Sequence, residues 1–279
     1  MIVFSEIDKI REYRWKDPHL SWGLVPTMGF LHEGHLSLIR RARRENDRVG
    51  VSIFVNPIQF NNQQDLQTYP RDMERDLKLL KNERVDLVWI PSSEIMYPEG
   101  FQTYVNVEQI TQRLEGEKRP GHFQGVTTVV AKLFNVFQPH RAYFGQKDAQ
   151  QLIVIKQLAR DLNFNLEVIA CDIVREADGL AMSSRNKNLS PTARKQAVCL
   201  FRALTSAKQA VKNGEFSAKA LKKIMADIIE TADKSRIDYL SVADPDTLCE
   251  LDTIDNKALL SVAVYLDDVR LIDNMIVKV

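Results

Sequence analysis

Pro26-Thr27-Met28-Gly29-Phe30-Leu31-His32-Glu33-Gly34-His35 lies between a short apolar run, Trp22-Gly23-Leu24-Val25, and a helical pattern of Leu36, Leu38, Ile39 and Ala42. That order predicts a strand, a glycine-containing turn and the start of a helix. Gly29 can take backbone angles closed to other residues, and Gly34 allows a ligand to approach the main chain closely. The first turn of the helix offers unpaired N–H groups and the positive end of the helix dipole, an arrangement suited to phosphate. His32 and His35 are three residues apart, so both rings point roughly the same way. They can donate to a phosphate as its charge grows in a transition state, or they can simply fill space and cap the helix. Two histidines around a glycine, just after a strand, favour a nucleotide site.

Outward from this stretch, residues 1–185 alternate strand and helix. Strands are expected at Leu24–Pro26, Val49–Val55, Leu87–Ile90, Arg141–Phe144 and Leu166–Ala170, with helices near 34–46, 70–82, 123–137 and 148–162. Short β-rich runs separated by helices imply an α/β domain with a mostly parallel sheet covered on both faces. Ligands of such sheets sit beyond the carboxyl ends of the strands. The pattern changes near Ser190-Pro191, where an N-cap and a first-turn proline open one long helix to about Asn213-Gly214. A Lys-rich helix from about 217 to 232 follows, then strands at Ile237–Val242, Ala258–Tyr265 and Met275–Val279. Residues 186–279 therefore read as a smaller α+β domain.

Composition narrows the function. The 38 basic and 37 acidic residues leave a formal net charge of +1, which argues against bulk electrostatic binding to nucleic acid or membrane. Cys171, Cys199 and Cys249 are widely spaced and form no metal or disulfide pattern, as expected in a reducing, cytoplasmic compartment. The first residues, with Glu6 and Asp8 and no long apolar core, are not expected to be a signal peptide, and no run reaches membrane-span length. The arginines of Arg40–Arg44 read as solvated helix surface.

Four further segments carry polar groups just after expected strands or between the domains. Phe54-Val55-Asn56-Pro57-Ile58-Gln59-Phe60 places an amide, Gln59, where it can orient a polar small molecule. Glu117 to Val126 carries Arg119 and His122 among glycines, either an anion grip or a plain turn. Gly145-Gln146-Lys147-Asp148 puts a lysine at a strand–helix turn, a good phosphate ligand, with Gln150 and Gln151 just beyond. Met182-Ser183-Ser184-Arg185-Asn186 is either an anion-binding loop or a linker, and Val174 precedes it with main-chain groups for an adenine edge. There is no Ser–His–Asp signature, no GxxxxGK[ST] loop and no candidate metal-ligand set.

Together these segments resemble the pantothenate synthetase (pantoate–β-alanine ligase) family, of the HxGH nucleotidylyltransferase-like superfamily, over nearly the whole chain. Pro26 to His35 is similar to the family's HxGH motif, Phe54 to Phe60 to its pantoate segment, and Arg119 to Asn135 to its central signature. Gly145 to Gln151 resembles its lysine turn, Met182 to Asn186 its counterpart of the synthetase KMSKS loop, and Arg270 to Asn274 a C-terminal motif. Ala149, the Asn61-Asn62-Gln63-Gln64 loop and Asp267-Asp268 depart from the family pattern without removing a group the chemistry needs.

The resemblance implies a Rossmann-like first domain that binds ATP and pantoate, a small lid domain, and a homodimer formed through the first domain. It implies ATP contacts from Met28, Gly29, Phe30, Leu31, His32, Glu33, Gly34 and His35, from Gly145, Gln146, Lys147 and Asp148, and from Val174, Met182, Ser183, Ser184 and Arg185. His35, His32 and Lys147 would act on the phosphates, with Mg²⁺ on the nucleotide and no protein metal site. Gln59 and Gln151 would hold pantoate, near β-alanine, with Arg119 and His122 at the pocket wall. The implied reaction joins pantoate to β-alanine through pantoyl adenylate, releasing pyrophosphate and then AMP. A nucleotidyltransferase that keeps AMP on its product, and a nucleotide-binding regulator without turnover, are the alternatives. A tRNA synthetase is less suited, for want of an anticodon-binding domain.

Overall fold

The computed structural model describes residues 1–61 and 63–279. Asn62, in the loop that departs from the family pattern, lies outside the described residues. Two compact units emerge, one of Met1–Gly145 with Gln150–Asp172, the other of Gln146–Ala149 with Ile173–Val279.

In the first unit six parallel strands, β1 (Ile2–Phe4), β2 (Trp22–Thr27), β3 (Arg48–Ile53), β4 (Leu87–Trp89), β5 (Arg141–Gly145) and β6 (Glu167–Cys171), are ordered β1-β4-β3-β2-β5-β6. Residues Gly23 to Val25, Val49 to Ile53 and Leu87 to Trp89 are buried, as expected of strands covered on both faces. The chain runs from β2 outward through β3 and β4, then returns to add β5 on the other side of β2. The order therefore reverses between β2 and β5, the position at which open α/β sheets bind ligands. Pairing of β2 with β5 stops at Leu24, whereas pairing with β3 continues to Thr27. Pro26, which has no N–H to give, lies beyond the end of that ladder, so the sheet opens where the Pro26–His35 stretch begins.

The helix Glu33–Glu45 buries Leu36, Leu38, Ile39 and Ala42, the stripe its sequence predicts. Three of its four arginines are paired within the unit: Arg40 with Glu33 and Glu83, Arg41 with Glu45 and Arg43 with Asp86. The helix His122–Phe137 is buried over most of its circumference and packs beside the short turn Pro57–Gln59. There Gly125 is required, because a Cβ would lie 2.6 Å from the Ile58 carbonyl oxygen and 2.7 Å from the Gln59 backbone. Strand β1 was not expected from the sequence; three residues before a helix are too few to show a period.

In the second unit β7 (Ser235–Ala243), β8 (Lys257–Leu266) and β9 (Val269–Lys278) form an antiparallel sheet in that order. Helices Cys199–Lys212 and Ala218–Ile229 pack their apolar stripes on one face. The single helix expected from Pro191 is broken into Pro191–Gln196 and Cys199–Lys212. Ala197 and Val198 stay helical, with ψ −20° and −17°, but Leu200 N–H bonds to Ala197 O, a tightened turn that no proline or glycine announces. The division expected at residue 185 falls inside this unit, because residues 173–182 fold back through an Arg175–Ala181 bridge and an ion pair from Arg175 to Asp273 of β9. Among the described residues no helix is long and apolar enough to cross a membrane.

Candidate active site

After Thr27 the chain turns through two consecutive left-handed residues, Gly29 (φ 81°) and Phe30 (φ 50°), before His32 caps the helix Glu33–Glu45. The two histidines cap it reciprocally. His32 Nδ1 accepts the Gly34 N–H (3.1 Å), and His35 Nδ1 accepts the His32 N–H (3.3 Å). Their rings lie 4.1 Å apart, tilted by 42°. An imidazole nitrogen that accepts a backbone N–H carries no proton itself, so these bonds assign the neutral rings' protons to Nε2. Capping and ligand recognition, alternatives in the sequence, are thus compatible: the Nδ1 edges hold the backbone and the Nε2 edges remain donors. Gly34 permits this closeness, since a Cβ there would lie 2.8 Å from His32 Cε1.

The turn is held by a residue that the motif reading missed. Asp76, buried on the helix Met73–Asn82, accepts the N–H of Phe30 at 2.6 Å and of Leu31 at 2.8 Å. The Arg75 guanidinium lies 5.4 Å from the Phe30 ring centre and 3.7 Å from the Asp76 carboxylate. A carboxylate bridging two adjacent N–H groups offsets the strain of a non-glycine residue at positive φ. The available signal was an acid on an apolar stripe: Asp76 shares its helical face with Leu80. Asp76→Asn keeps the shape but offers one acceptor for two donors. It is expected to lower stability by about 1–3 kcal/mol, the cost of one unsatisfied buried polar group, measurable by urea unfolding. An unchanged midpoint would remove Asp76 from this role.

Gln59 is buried beside the same turn. Its Nε2 donates to Met28 Sδ at 2.9 Å, and its Oε1 accepts from Asn56 Nδ2 at 3.0 Å. Asn56 in turn donates to Gly125 O and accepts the Tyr97 hydroxyl at 2.7 Å. Burial pushes the Tyr97 pKa well above its ordinary value, so the hydroxyl stays a donor. His122 is buried with both ring nitrogens engaged: Nδ1 is 2.7 Å from the Gln59 carbonyl oxygen and Nε2 is 3.2 Å from Arg119 Nη1. That pattern puts its proton on Nδ1, the tautomer opposite to that of His32 and His35. Gln150 is spent on structure, donating to the carbonyls of Ile110 and Arg113 and accepting the Glu115 N–H. Gln151, one position on, is half-buried, and among the described residues its amide has no hydrogen bond.

Other expected contacts of this unit are placed less openly. Leu31 is fully buried, so it can offer a ligand only its backbone, and Glu33 is exposed and paired with Arg40. Gly145 ends β5 opposite Cys171 of β6.

The second unit carries the remaining expected residues. Gln146–Asp148 form a single 3₁₀ turn ahead of the helix Ala149–Asp161, and Lys147 Nζ lies 3.6 Å from Asp148 Oδ1. The Val174 carbonyl accepts the Met182 N–H at 3.0 Å, closing a hairpin below the loop. Ser183 caps the 3₁₀ helix Ser184–Asn188, its Oγ accepting the Arg185 N–H at 3.3 Å. Asn186 pins the loop's base by donating to Ala181 O. Among the described residues no three His, Cys, Asp or Glu side chains converge as a metal cage.

Comparison with known proteins bears on this arrangement. The family model described as pantoate-beta-alanine ligase matches residues 2–276. A pantothenate synthetase from Acetivibrio thermocellus is 56% identical over 257 residues, 92% of each chain. The crystal structure of pantothenate synthetase from Thermus thermophilus is similar with a TM-score of 0.94 at 47% identity, covering 99% of both chains. The pantoate-beta-alanine ligase from Francisella tularensis, complexed with beta-gamma ATP and beta-alanine, is similar with a TM-score of 0.80 at 36% identity. That match covers 99% of this chain and 97% of the other.

Proposed function

The chain belongs to the pantoate–β-alanine ligase family, and from that membership we propose how its residues divide the work of the reaction. The reaction is the ATP-dependent condensation of (R)-pantoate with β-alanine, through pantoyl adenylate, to pantothenate, AMP and pyrophosphate. The enzyme is an AMP-forming ligase of pantothenate and coenzyme A biosynthesis.

In the first step the pantoate carboxylate attacks the α-phosphorus in line and pyrophosphate leaves. Such a transfer requires alignment and charge neutralisation more than a protein nucleophile. His35 and His32 donate from Nε2 to the phosphates, with main-chain contacts from Met28 to Gly34. The reciprocal cap is the observation that carries this assignment, because it fixes the tautomer and orients both rings. Lys147, with Gly145, Gln146 and Asp148 around it, and Ser183, Ser184 and Arg185 after Met182, supply the positive charge and hydroxyl donors. The Val174 backbone recognises adenine. Gln59 and Gln151 orient pantoate. His122 and Arg119 act at the wall of that site, and the engagement of both His122 nitrogens supports a role in holding the Gln59 backbone. In the second step the neutral amine of β-alanine attacks the acyl adenylate and AMP departs.

Mg²⁺ would suit a triphosphate held in this way and would neutralise charge on the phosphates. We also assign the catalytic function to residues 1–185, of which 146–149 and 173–185 pack with the second compact unit, and a lid function to 186–279, together with a homodimer formed through the first domain and a cytoplasmic location. The exposed edge strand β1 supports a dimer, and Cys171 and Cys199, buried and free, support a reducing compartment.

ATP–pyrophosphate exchange tests the assignment. Exchange that requires pantoate and proceeds without β-alanine is expected, followed by AMP release once β-alanine is added. Folded, ATP-binding protein without pantoate-dependent exchange would refute the adenylate step.

A further inference from the structure

Strand β9 carries Asp273 and Asn274 side by side, and the two-residue period of a strand sends them to opposite faces of its sheet. Asp273 shares a face with Leu271 and Val277, on the helix-covered side. Its buried carboxylate receives both terminal nitrogens of Arg175, at 2.6 and 3.0 Å. Arg175 also donates to Gly179 O at 3.0 Å and stacks 4.6 Å over the Phe201 ring. It thereby fixes the hairpin that leads into Met182–Arg185. Asn274 faces the other way. Its Nδ2 donates to the carbonyls of Gln146 (3.0 Å) and Lys147 (2.9 Å), and its Oδ1 accepts from Gln146 Nε2 at 3.3 Å. The Asn274 N–H bonds to Asp273 Oδ1 at 2.7 Å, which links the two anchors directly. One strand thus grips two segments that are far apart in sequence: Asn274 holds the backbone of the Lys147 turn directly, and Asp273 holds the Arg175 side chain, whose hairpin leads into Met182–Arg185.

We propose that Asn274 is a positioning residue for adenylate formation, acting through the Lys147 turn, with Asp273 anchoring the Asn274 N–H beside it. The inference rests on the assignment of Lys147 to the triphosphate. Neither side chain need touch a substrate. Asn274 is suited to the task because an amide provides both N–H donors for two carbonyls and an oxygen acceptor for Gln146, a combination that aspartate cannot offer.

Asn274→Ala and Asn274→Asp, each made in the wild-type and in the Lys147→Ala background, test it. Pantoate-dependent ATP–pyrophosphate exchange and the KM for each substrate are the readouts, with circular dichroism to establish folding. A displacement of the lysine turn by about 1 Å is expected to cost roughly 10²-fold in exchange, with the KM for pantoate unchanged. Asn274→Asp, which turns oxygens toward two carbonyls at nearly constant volume, is expected to lose as much, and it serves if the alanine variant does not fold. In the Lys147→Ala background neither substitution should add to the loss, because residues that act through one group are not additive. Wild-type exchange by folded Asn274 variants, or an equal loss in both backgrounds, would overturn the proposal. Normal exchange by Lys147→Ala alone would strike the Lys147 assignment itself, and the inference with it.

Discussion

His35→Asn is expected to leave the protein as stable as the wild type and to lower pantoate-dependent ATP–pyrophosphate exchange by about 10²–10³-fold, the usual cost of one transition-state donor. The choice of asparagine follows from the cap. His35 Nδ1 accepts the His32 N–H, and an asparagine side-chain oxygen reaches nearly the same position, so the backbone bond survives while the Nε2 donor is lost. His35→Ala removes both and should also cost about 1 kcal/mol of stability, as loss of a helix cap does. His35→Gln does the reverse of asparagine: its amide nitrogen reaches the Nε2 position, and the cap is forfeited. Activity should therefore follow glutamine above asparagine, while stability follows asparagine above glutamine. Measuring exchange and urea midpoints for the three variants separates the roles. Near wild-type exchange by the asparagine variant would exclude Nε2 from the chemistry.

Lys147→Ala should fold normally and also lose about 10²–10³-fold of adenylate formation. The lysine is at a strand–helix turn, its side chain only 20% exposed, with Asp148 as an ion-pair neighbour. An ammonium there adds a full positive charge to the partial charges of the helix start, the proposed position of the charge that accumulates as pyrophosphate departs. The loss should appear in kcat and in the apparent KM for ATP, but not in the KM for pantoate, for which Gln59 and Gln151 are the proposed contacts. Lys147→Arg keeps the charge in a longer, planar group and should recover only part of the rate. Full activity in Lys147→Ala would remove the lysine from the phosphates. A raised KM for pantoate alone would move it to the carboxylate.

Local pattern was enough to read most of the first unit. Apolar runs of three to seven residues separated by amphipathic helices reproduce β2 to β6, and the stripe Leu36, Leu38, Ile39 and Ala42 is buried as its spacing requires. Those signals are short-range, and a period of two or 3.6 is visible in any window long enough to repeat it. Strand β1 was too short to show one. The N-terminal part of β9 was hidden because Arg270, Asp273 and Asn274 replace the apolar alternation with charge and amide. Their side chains are satisfied by partners that no local window contains.

Motif and order in the sequence alone determined the family, the substrates that follow from it and the residues to test. Tertiary structure alone decided how those residues are held. Asp76 reaches the Phe30 and Leu31 amides across 46 and 45 positions, and Asn274 reaches the Lys147 turn across 127 and 128. The tautomers of His32, His35 and His122 depend on which backbone groups meet each ring, not on the identity of the residue. A sequence specifies which donors and acceptors exist. Only the folded chain pairs them, because a buried polar group must find its partner wherever packing has brought one.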